Sequence, residues 1–433
     1  MSSYAEEDQA PALESPAQTL RGAKHWAAHL GLSPVPAWIR YPAFLLLAVV
    51  LARVDWAKAA YILHIQPFAI DYLPLWTAGR MALHHPGHLY DFAAITDGQR
   101  WLIGHLNRLR PWIYPPSALL IFTPLSRLPF WISTAAWVGA TVAALVGAAL
   151  KFIPRDRLLG LVLIAALPAT SLTVVAAQTT FLTVCATTLG VLLLERRPIL
   201  AGVLLGLAAC LKPTALVFLP LAYLAARSWK PFVATAVTGI VVALATTLWL
   251  GPMVWLDWLA ALPRFERIVL YDRAFIPSMI SPASAGVHNH LSADALLVLR
   301  GVFAVAGGAL VWWVWRRRLD PAFRLIALMA AGLFASPYAM RYDAALFVVP
   351  AVALICRATS WGGVLTAAGA YLLLCLSIQP YAGPYAMVAF VGLTTLMAVF
   401  GPDRARAHLA LAPRAKPLWS PLAANAEGER AAA

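Results

Sequence analysis

Continuous apolar runs constrain this chain more than any other feature of its sequence. From Tyr41 onward they recur with lengths of about 17–25 residues, enough for an α-helix to cross the hydrocarbon core of a bilayer. The runs are unbroken, whereas the strands of an outer-membrane barrel alternate apolar and polar residues with a period of two. The pattern therefore predicts an all-α polytopic membrane protein.

We predict about twelve spanning helices from the lengths of these runs, at residues 38–56, 131–150, 158–176, 179–194, 199–211, 213–226, 231–251, 294–315, 321–335, 342–356, 361–378 and 384–400. Two long connections, 57–130 and 252–293, separate them. The transmembrane domain would cover residues 37–402. The polar, Pro- and Ala-rich ends, 1–36 and 403–433, are expected to be disordered cytoplasmic tails.

Charge is scarce in this chain and mostly positive. Only 12% of the residues are charged, and the 33 Lys and Arg residues exceed the 19 Asp and Glu residues to give a net charge of +14. A soluble domain carries about 25% charged residues. The basic residues stand in short clusters between apolar runs, as the positive-inside rule describes for cytoplasmic loops: Lys151, Arg155 and Arg157; Arg196 and Arg197; Arg227 and Lys230; Arg316, Arg317 and Arg318. Membrane topology explains the excess, and nucleic-acid binding is not indicated.

These basic clusters also predict which polar features face outward. With the N-terminus inside, the 57–130 connection, Gln178, Lys212 and the segment 336–343 all fall on the extracytoplasmic side. The proline-interrupted stretch 114–129 is interpreted as a broken or re-entrant element, because a full crossing there would move every later basic cluster outside. We expect a multi-pass protein of the cell inner membrane, with its site on the periplasmic side.

Lys212 is expected to lie below the outer membrane surface. The run from Ile199 to Leu211 gives about 20 Å of helix at 1.5 Å per residue, whereas the hydrocarbon core is about 30 Å thick. A lysine at that depth costs about 2.5–3.5 kcal/mol unless it is paired or solvated. An anionic partner is therefore expected; the alternative is a boundary lysine that reaches the headgroups.

Asp71 is the leading candidate for a functional carboxylate. It precedes a segment with apolar and aromatic residues on one helical face and polar ones on the other, typical of a helix at the membrane interface: Tyr72, Leu75, Trp76, Gly79 and Leu83 against Thr77, Arg80 and His84. Asp71 could instead cap that helix. Pro74 has no N–H to offer such a cap, so we favour the functional interpretation.

Three further polar residues have two interpretations each. Arg341 could bind an anion or pair with Asp343. Asp91 fits a loop or turn carboxylate better than a functional one. Gln178 could bond a helix end.

Metal and nucleotide chemistry are not predicted. His84 and His88 have i,i+4 spacing, but Pro86 and Gly87 interrupt the helix that would align them. The four cysteines lie in or beside apolar runs without a metal-binding spacing. There is no nucleotide-binding motif of the Walker A or Rossmann type.

Four strings, in order along residues 65–350, resemble glycosyltransferase family 87, which contains polyprenol-phosphate-mannose-dependent mannosyltransferases of the GT-C fold. They are Asp71-Tyr72 with Trp76-Thr77-Ala78-Gly79-Arg80 and Leu89-Tyr90-Asp91; Tyr114-Pro115-Pro116-Ser117-Ala118-Leu119-Leu120 with Pro124-Leu125; Ala177-Gln178-Thr179-Thr180-Phe181-Leu182; and Gly202-Val203-Leu204-Leu205-Gly206-Leu207-Ala208 with Lys212-Pro213. The chain departs from the family pattern at Ala177, where glycine is usual, and at Arg341 and Tyr342, where the family usually carries histidine.

The resemblance implies a GT-C-type fold with interfacial helices in the first outer loop, and a transferase that moves a hexose, mannose by family, from a polyprenyl-phosphate donor to a lipid or glycan acceptor. Asp71 would be the base that takes the acceptor proton. Lys212 and Arg341 would bind the donor phosphate as its charge develops. No cofactor or metal is required. The remaining substrate-binding candidates are Gln178, Tyr114, Arg80, Asp91 and Asp343.

A transporter or flippase of lipid-linked sugars is the alternative function. Transporters often combine internal repeats with broken helices around a midplane site. We detect no convincing repeat in this sequence, and the polar residues cluster outward.

Overall fold

The computed structural model describes residues 35–65, 67–104, 110–272 and 275–400. The predicted tails lie outside these ranges, apart from residues 35–36. The described residues form helices and no strands; a single isolated bridge joins Met279 and Met340. The all-α expectation is thus confirmed.

Eighteen α-helices are formed within the described residues, joined by short 3-10 turns. In chain order they are α1 Ala37–Ile65, α2 Leu73–His84, α3 Phe92–Ile103, α4 Leu119–Ser126, α5 Phe130–Phe152, α6 Arg157–Ala165, α7 Pro168–Ala176, α8 Thr180–Leu193, α9 Pro198–Leu211, α10 Leu219–Ala226, α11 Trp229–Leu250, α12 Met253–Tyr271, α13 Pro282–His288, α14 Ala293–Arg316, α15 Pro321–Ala335, α16 Val348–Arg357, α17 Trp361–Leu376 and α18 Gly383–Phe400.

Five of the described helices, α1, α5, α11, α14 and α18, are long and apolar enough to cross a membrane. The pair α6 and α7 adds a sixth if it is taken as one span bent by 63°. Several other apolar helices contain only 10–17 residues. The chain is a membrane protein with several apolar helices, and the number of about twelve crossings remains a prediction from run lengths.

Several boundaries in the structure differ from the sequence prediction. The run 158–176 is two helices, because Pro168 begins α7 and the preceding Leu167 takes the extended conformation that proline favours. Helix α1 continues to Ile65, beyond the predicted end at residue 56. The connection 252–293 contains the 19-residue helix α12. In the stretch 114–129, α4 has only 8 residues, about 12 Å at 1.5 Å per residue, which fits a broken element.

The main core surrounds α15, which is buried on all sides. Helix α9 approaches α11 closely at two glycines one turn apart. A Cβ on Gly202 would lie 2.4 Å from the Pro231 carbonyl oxygen, and one on Gly206 would lie 2.9 Å from Thr238 Cβ. Small residues at this spacing allow the backbones of two membrane helices to pack together. The packing of α9 fixes the position of Lys212, which follows its last residue.

A second core is formed mainly by residues of the first long connection and is rich in aromatic side chains, with Tyr72, Trp76, Trp112, Phe122, Phe130 and Trp137 buried in it. The Tyr72 hydroxyl lies 2.7 Å from Ser133 Oγ. The first two turns of α2 are buried on both faces, including Thr77. The expected polar face is therefore confined to the exposed end of this helix, at Arg80 and His84.

Candidate active site

Asp71 lies where the aromatic core meets the helical bundle. The preceding chain is tied to α7 by a hydrogen bond from Ala69 N–H to the Val175 carbonyl, 2.8 Å long. Helix α2 begins at Leu73 with Tyr72 in the capping position and no side-chain cap. The Asp71 carboxylate pairs with Arg110 and accepts a hydrogen bond from Gln178 Nε2 at 3.0 Å. The carboxylate thus faces the site, and its contacts are not those of a helix cap.

Side chains from three separate elements hold the segment that carries Arg110. Gln99 Nε2 of α3 donates to the Arg110 carbonyl at 2.7 Å. Trp258 Nε1 of α12 donates to the Ile113 carbonyl at 3.1 Å, and the Tyr90 hydroxyl donates to the Tyr114 carbonyl at 2.8 Å. Because its backbone is fixed at these points, the segment presents the Arg110 guanidinium to Asp71 in a defined position.

Tyr114 connects Asp71 to the start of α8. Its hydroxyl donates to Gln178 Oε1 at 2.9 Å and lies 3.0 Å from Thr179 Oγ1. Burial raises the pKa of Tyr114 above its usual range, the hydrogen bond with Thr179 opposes the shift, and the nearby Asp343 and Asp71 carboxylates add to it. Its hydroxyl therefore remains protonated and can keep donating to Gln178, whose amide group points to Asp71.

Ala177 adopts a left-handed conformation, with φ of 54°. Its carbonyl accepts a hydrogen bond from Trp137 Nε1 at 3.0 Å. Only glycine adopts this conformation without a steric cost. This conformation gives a physical reason for the glycine that the family resemblance led us to expect at this position. Alanine occupies it here at the cost of local strain, immediately before Gln178.

Lys212 is the main cation at the end of α9. Its ammonium group pairs with Asp343 and donates to Thr180 Oγ1 at 3.3 Å. It also lies 5.5 Å from the centre of the Tyr342 ring. The Lys212 side chain is only 12% exposed and that of Asp343 11% exposed. The anionic partner expected for Lys212 is therefore present within the protein as a carboxylate.

The structure brings five of the sequence-predicted residues together: Asp71, Tyr114, Gln178, Lys212 and Asp343. Two side chains near the start of α8 connect them: Gln178, two residues before the helix, donates to Asp71, and Thr180, its first residue, accepts from Lys212. Their charges are arranged as two pairs of opposite sign, Asp71 with Arg110 and Lys212 with Asp343.

The other three predicted residues lie elsewhere. Arg341 does not pair with Asp343; it donates to Ser278 Oγ at 2.7 Å and to the Ile378 carbonyl at 3.4 Å. Arg80 is exposed and its guanidinium lies 5.3 Å from the centre of the Trp76 ring. Asp91 caps α3 by accepting from two backbone N–H groups, which agrees with the turn interpretation. Among the residues that the structure describes, no interaction joins Arg80 or Asp91 to the site.

Sequence reasoning missed Arg110. It lies in the long first connection, outside the strings that carried the family resemblance, and no spacing links it to Asp71. Two charged residues on α1 were also not selected: Lys58 lies beyond the predicted end of the first span at residue 56, and Asp55 lies one residue before that end. Charged residues within an apolar helix would otherwise have marked them as functional candidates.

No group of three or more His, Cys, Asp or Glu side chains is arranged to hold a metal ion in the part of the chain that the structure describes. The described residues that lie close enough to act on one substrate are instead carboxylates, cations and hydroxyl or amide donors. Such a site can take a proton, bind an anion and hold hydroxyl groups.

Comparisons with known proteins agree with this chemistry. The chain is 31% identical over 124 residues to a polyprenol-phosphate-mannose-dependent alpha-(1-2)-phosphatidylinositol pentamannoside mannosyltransferase of Mycobacterium tuberculosis, a match covering 28% of this chain and 26% of the relative. It is 32% identical over 133 residues to the protein of the same description from Mycolicibacterium smegmatis, covering 29% of each. The matches thus span less than a third of these curated relatives. No solved structure matches the chain.

The family comparison covers more of the sequence. The model of Glycosyltransferase family 87 matches residues 112–337, just over half of the chain. The matched region includes Tyr114, Gln178 and Lys212 and three of the four strings that resembled this family in the sequence, whereas the first string, from Asp71 to Asp91, precedes it. The chain belongs to glycosyltransferase family 87.

Proposed function

We propose that the chain is an integral membrane hexosyltransferase that moves mannose from a polyprenyl-phosphate donor to a hydroxyl group of a lipid or glycan acceptor. The reaction would take place on the extracytoplasmic side of the inner membrane. Family membership supports the reaction class, and the two matched mycobacterial relatives suggest the donor. The observation that carries the proposal is the connected cluster of Asp71, Gln178 and Lys212 at one end of α8.

Asp71 is the proposed base. Each carboxylate oxygen can accept two hydrogen bonds, so contacts with Arg110 and Gln178 leave room for an acceptor hydroxyl. As that hydroxyl attacks the anomeric carbon, its proton moves to Asp71. The new C–O bond forms as the bond between the anomeric carbon and the phosphate oxygen breaks. General-base assistance of this kind contributes typically about 10²–10⁴-fold to a rate.

The leaving polyprenyl phosphate gains a negative charge, and cations stabilise it in a largely water-free site. Lys212 is suited to this because it lies in the same cluster as Asp71, with its charge held by Asp343 and Thr180. Arg341 follows Met340, whose N–H donates to Asp343 at 2.9 Å. The Arg341 guanidinium donates to Ser278 and to the Ile378 carbonyl, so it would have to leave these partners to act as the second cation for the phosphate.

Label transfer tests the proposal. Membranes from cells that lack the protein are supplied with the purified chain and radiolabelled polyprenyl-phosphate mannose. The label should appear in a new glycoconjugate, and Asp71→Asn should abolish its formation. A transporter would move labelled lipid between leaflets without forming any glycosidic product, and that result would refute the transferase assignment.

A further inference from the structure

A cavity of about 470 Å³ lies where α12 ends and α14 begins. Its lining combines apolar side chains with four rings that carry a hydroxyl group or an imidazole nitrogen, those of Tyr271, His288, His290 and Tyr381. Ligand-binding cavities in proteins usually enclose about 300–1,000 Å³. The space is therefore large enough for part of a substrate, and the residues that carry the proposed reaction are not among those described in its lining.

The chemistry of this cavity suits an uncharged ligand. Among the described residues that line it, none is Asp, Glu, Lys or Arg, in contrast to the ion pairs formed by Asp71 and Lys212. A phosphate would find no lysine or arginine there to bind it. Tyrosine hydroxyls and neutral imidazoles both donate and accept hydrogen bonds, and the hydroxyl groups of a neutral sugar need partners of both kinds.

The aromatic rings of the lining are open to a ligand. The Tyr271 side chain is 73% exposed and that of Tyr381 49% exposed, and His288 is exposed beside them. The His288 ring packs against the Tyr381 ring, with 4.6 Å between their centres. An aromatic face is apolar and carries partial negative charge. The C–H groups on one side of a sugar ring can therefore pack on it while the hydroxyl groups remain hydrogen-bonded.

Arg341 ties two walls of the cavity to the proposed active site. Its guanidinium donates to Ser278 Oγ at 2.7 Å and to the Ile378 carbonyl at 3.4 Å. Ser278 lies two residues after Ile276 and Ile378 lies three residues before Tyr381, and both Ile276 and Tyr381 line the cavity. Arg341 also begins the 3-10 turn that carries the carboxylate paired with the active-site lysine. The cavity thus lies beside the proposed active site but is separate from it.

Helix α14 relates the cavity to the membrane. It begins at Ala293, in the cavity lining, and ends at Arg316, in a basic cluster that the sequence predicts to be cytoplasmic. Its 24 residues extend about 36 Å, enough to cross the hydrocarbon core. The cavity would then open on the extracytoplasmic side, where the acceptor is expected to arrive.

We propose that this cavity is an acceptor subsite that binds uncharged sugar units already present on the acceptor, away from the hydroxyl group that reacts. This rests on the proposed function and narrows its acceptor to a molecule that already carries a glycan. The reacting hydroxyl lies at Asp71, and sugar units further along the same acceptor pack on Tyr271 and Tyr381. The enzyme would therefore extend an existing glycan and would not add the first sugar to a bare lipid.

Binding of mannotriose, a neutral trisaccharide, tests the subsite directly. The full chain in phosphatidylcholine nanodiscs is titrated with mannotriose by ligand-observed NMR. Tyr271→Ala should weaken binding by about two- to tenfold through loss of a stacking face, whereas Tyr271→Phe, which keeps the ring, should retain most of it. Ala293→Phe should block binding by filling the cavity. Tyr61→Ala is the matched control, because Tyr61 is 64% exposed on α1, and it should leave binding unchanged.

Three results would refute the subsite. The first is no saturable binding of mannotriose to wild type. The second is unchanged binding by Tyr271→Ala and Ala293→Phe, as expected if the exposed tyrosines only anchor the protein at the membrane interface. The third is loss of binding when phosphatidylglycerol replaces phosphatidylcholine, because the cavity would then hold a phospholipid.

Transfer of labelled mannose by the same preparations separates this inference from the proposed function. Membranes from cells that lack the protein supply the acceptor, and their amount is varied. Tyr271→Ala should raise the KM for the acceptor and leave the KM for the donor unchanged. If wild type transfers mannose and Tyr271→Ala does so with an unchanged acceptor KM, the subsite is wrong and the function stands. If wild type binds mannotriose through Tyr271 but forms no glycoconjugate, the function is wrong and the cavity remains a sugar-binding site.

Discussion

Removing the charge of Asp343 should destabilise the protein through Lys212. Both side chains are nearly buried, at 11% and 12% exposure, and Asp343→Asn would leave the lysine with Thr180 and the Tyr342 ring as its contacts. Breaking a buried ion pair by removing one partner costs about 3–5 kcal/mol. Because a tenth of each side chain is exposed, we expect the lower end, about 3 kcal/mol.

A double-mutant cycle distinguishes this mechanism from general damage to the site. Lys212→Met alone leaves a carboxylate without its cation, whereas the double variant leaves no charge at all. The double variant should therefore be less destabilised than the sum of the single variants, by about 1–3 kcal/mol.

The assay is unfolding in mixed micelles of increasing sodium dodecyl sulfate content, followed by tryptophan fluorescence. Asp97→Asn is the matched control, because Asp97 pairs with Arg100 at 3.2 Å but is 73% exposed. Such an exposed pair contributes about 0–1 kcal/mol. Our reasoning is wrong if Asp343→Asn is as mild as Asp97→Asn, or if the two single effects simply add.

Three further variants test the packing and the geometry of the site. Ala177→Gly should relieve its left-handed conformation and raise stability by up to about 1 kcal/mol, whereas Ala176→Gly at the end of α7 should lower it, both measured in the same unfolding assay. Gly206→Ala should lower the free energy of unfolding by about 1–3 kcal/mol, because the added methyl group meets α11. Gly239→Ala, where a Cβ would have no neighbour within 4 Å, should not lower it. Equal effects of the two variants would argue against close packing of α9 on α11. Tyr114→Phe should lower kcat about tenfold by freeing the Gln178 amide, and unchanged kinetics would exclude Tyr114 from the site.

The sequence predicted the helical class, because unbroken apolar runs have no other stable form in a bilayer. It did not predict where those runs break. Leu167 and Pro168 divide one run into two helices, and the continuation of α1 to Ile65 crosses a charged stretch that reads as a loop. Such boundaries depend on packing against neighbours, which hydropathy does not contain.

The candidate site was predicted residue by residue, but its pairing was not. Asp71, Gln178 and Lys212 were identified from position and from family resemblance, and the structure brings them together. Arg110 could not be found, because its contact with Asp71 closes a long connection that contains both α2 and α3. Arg341 and Asp343, two residues apart, point to different partners because the chain between them forms a tight 3-10 turn.

The rate of mannose transfer by Asp71→Asn tests the account most directly. The variant keeps the size of the side chain and removes its ability to take a proton, and Asp97→Asn serves as a control on the exposed surface. With saturating polyprenyl-phosphate mannose, Asp71→Asn should lose about 10²–10⁴-fold in kcat, while polyprenyl phosphate binding and folding persist. Transfer by a folded Asp71→Asn at the rate of Asp97→Asn would contradict the assignment of Asp71 as the base.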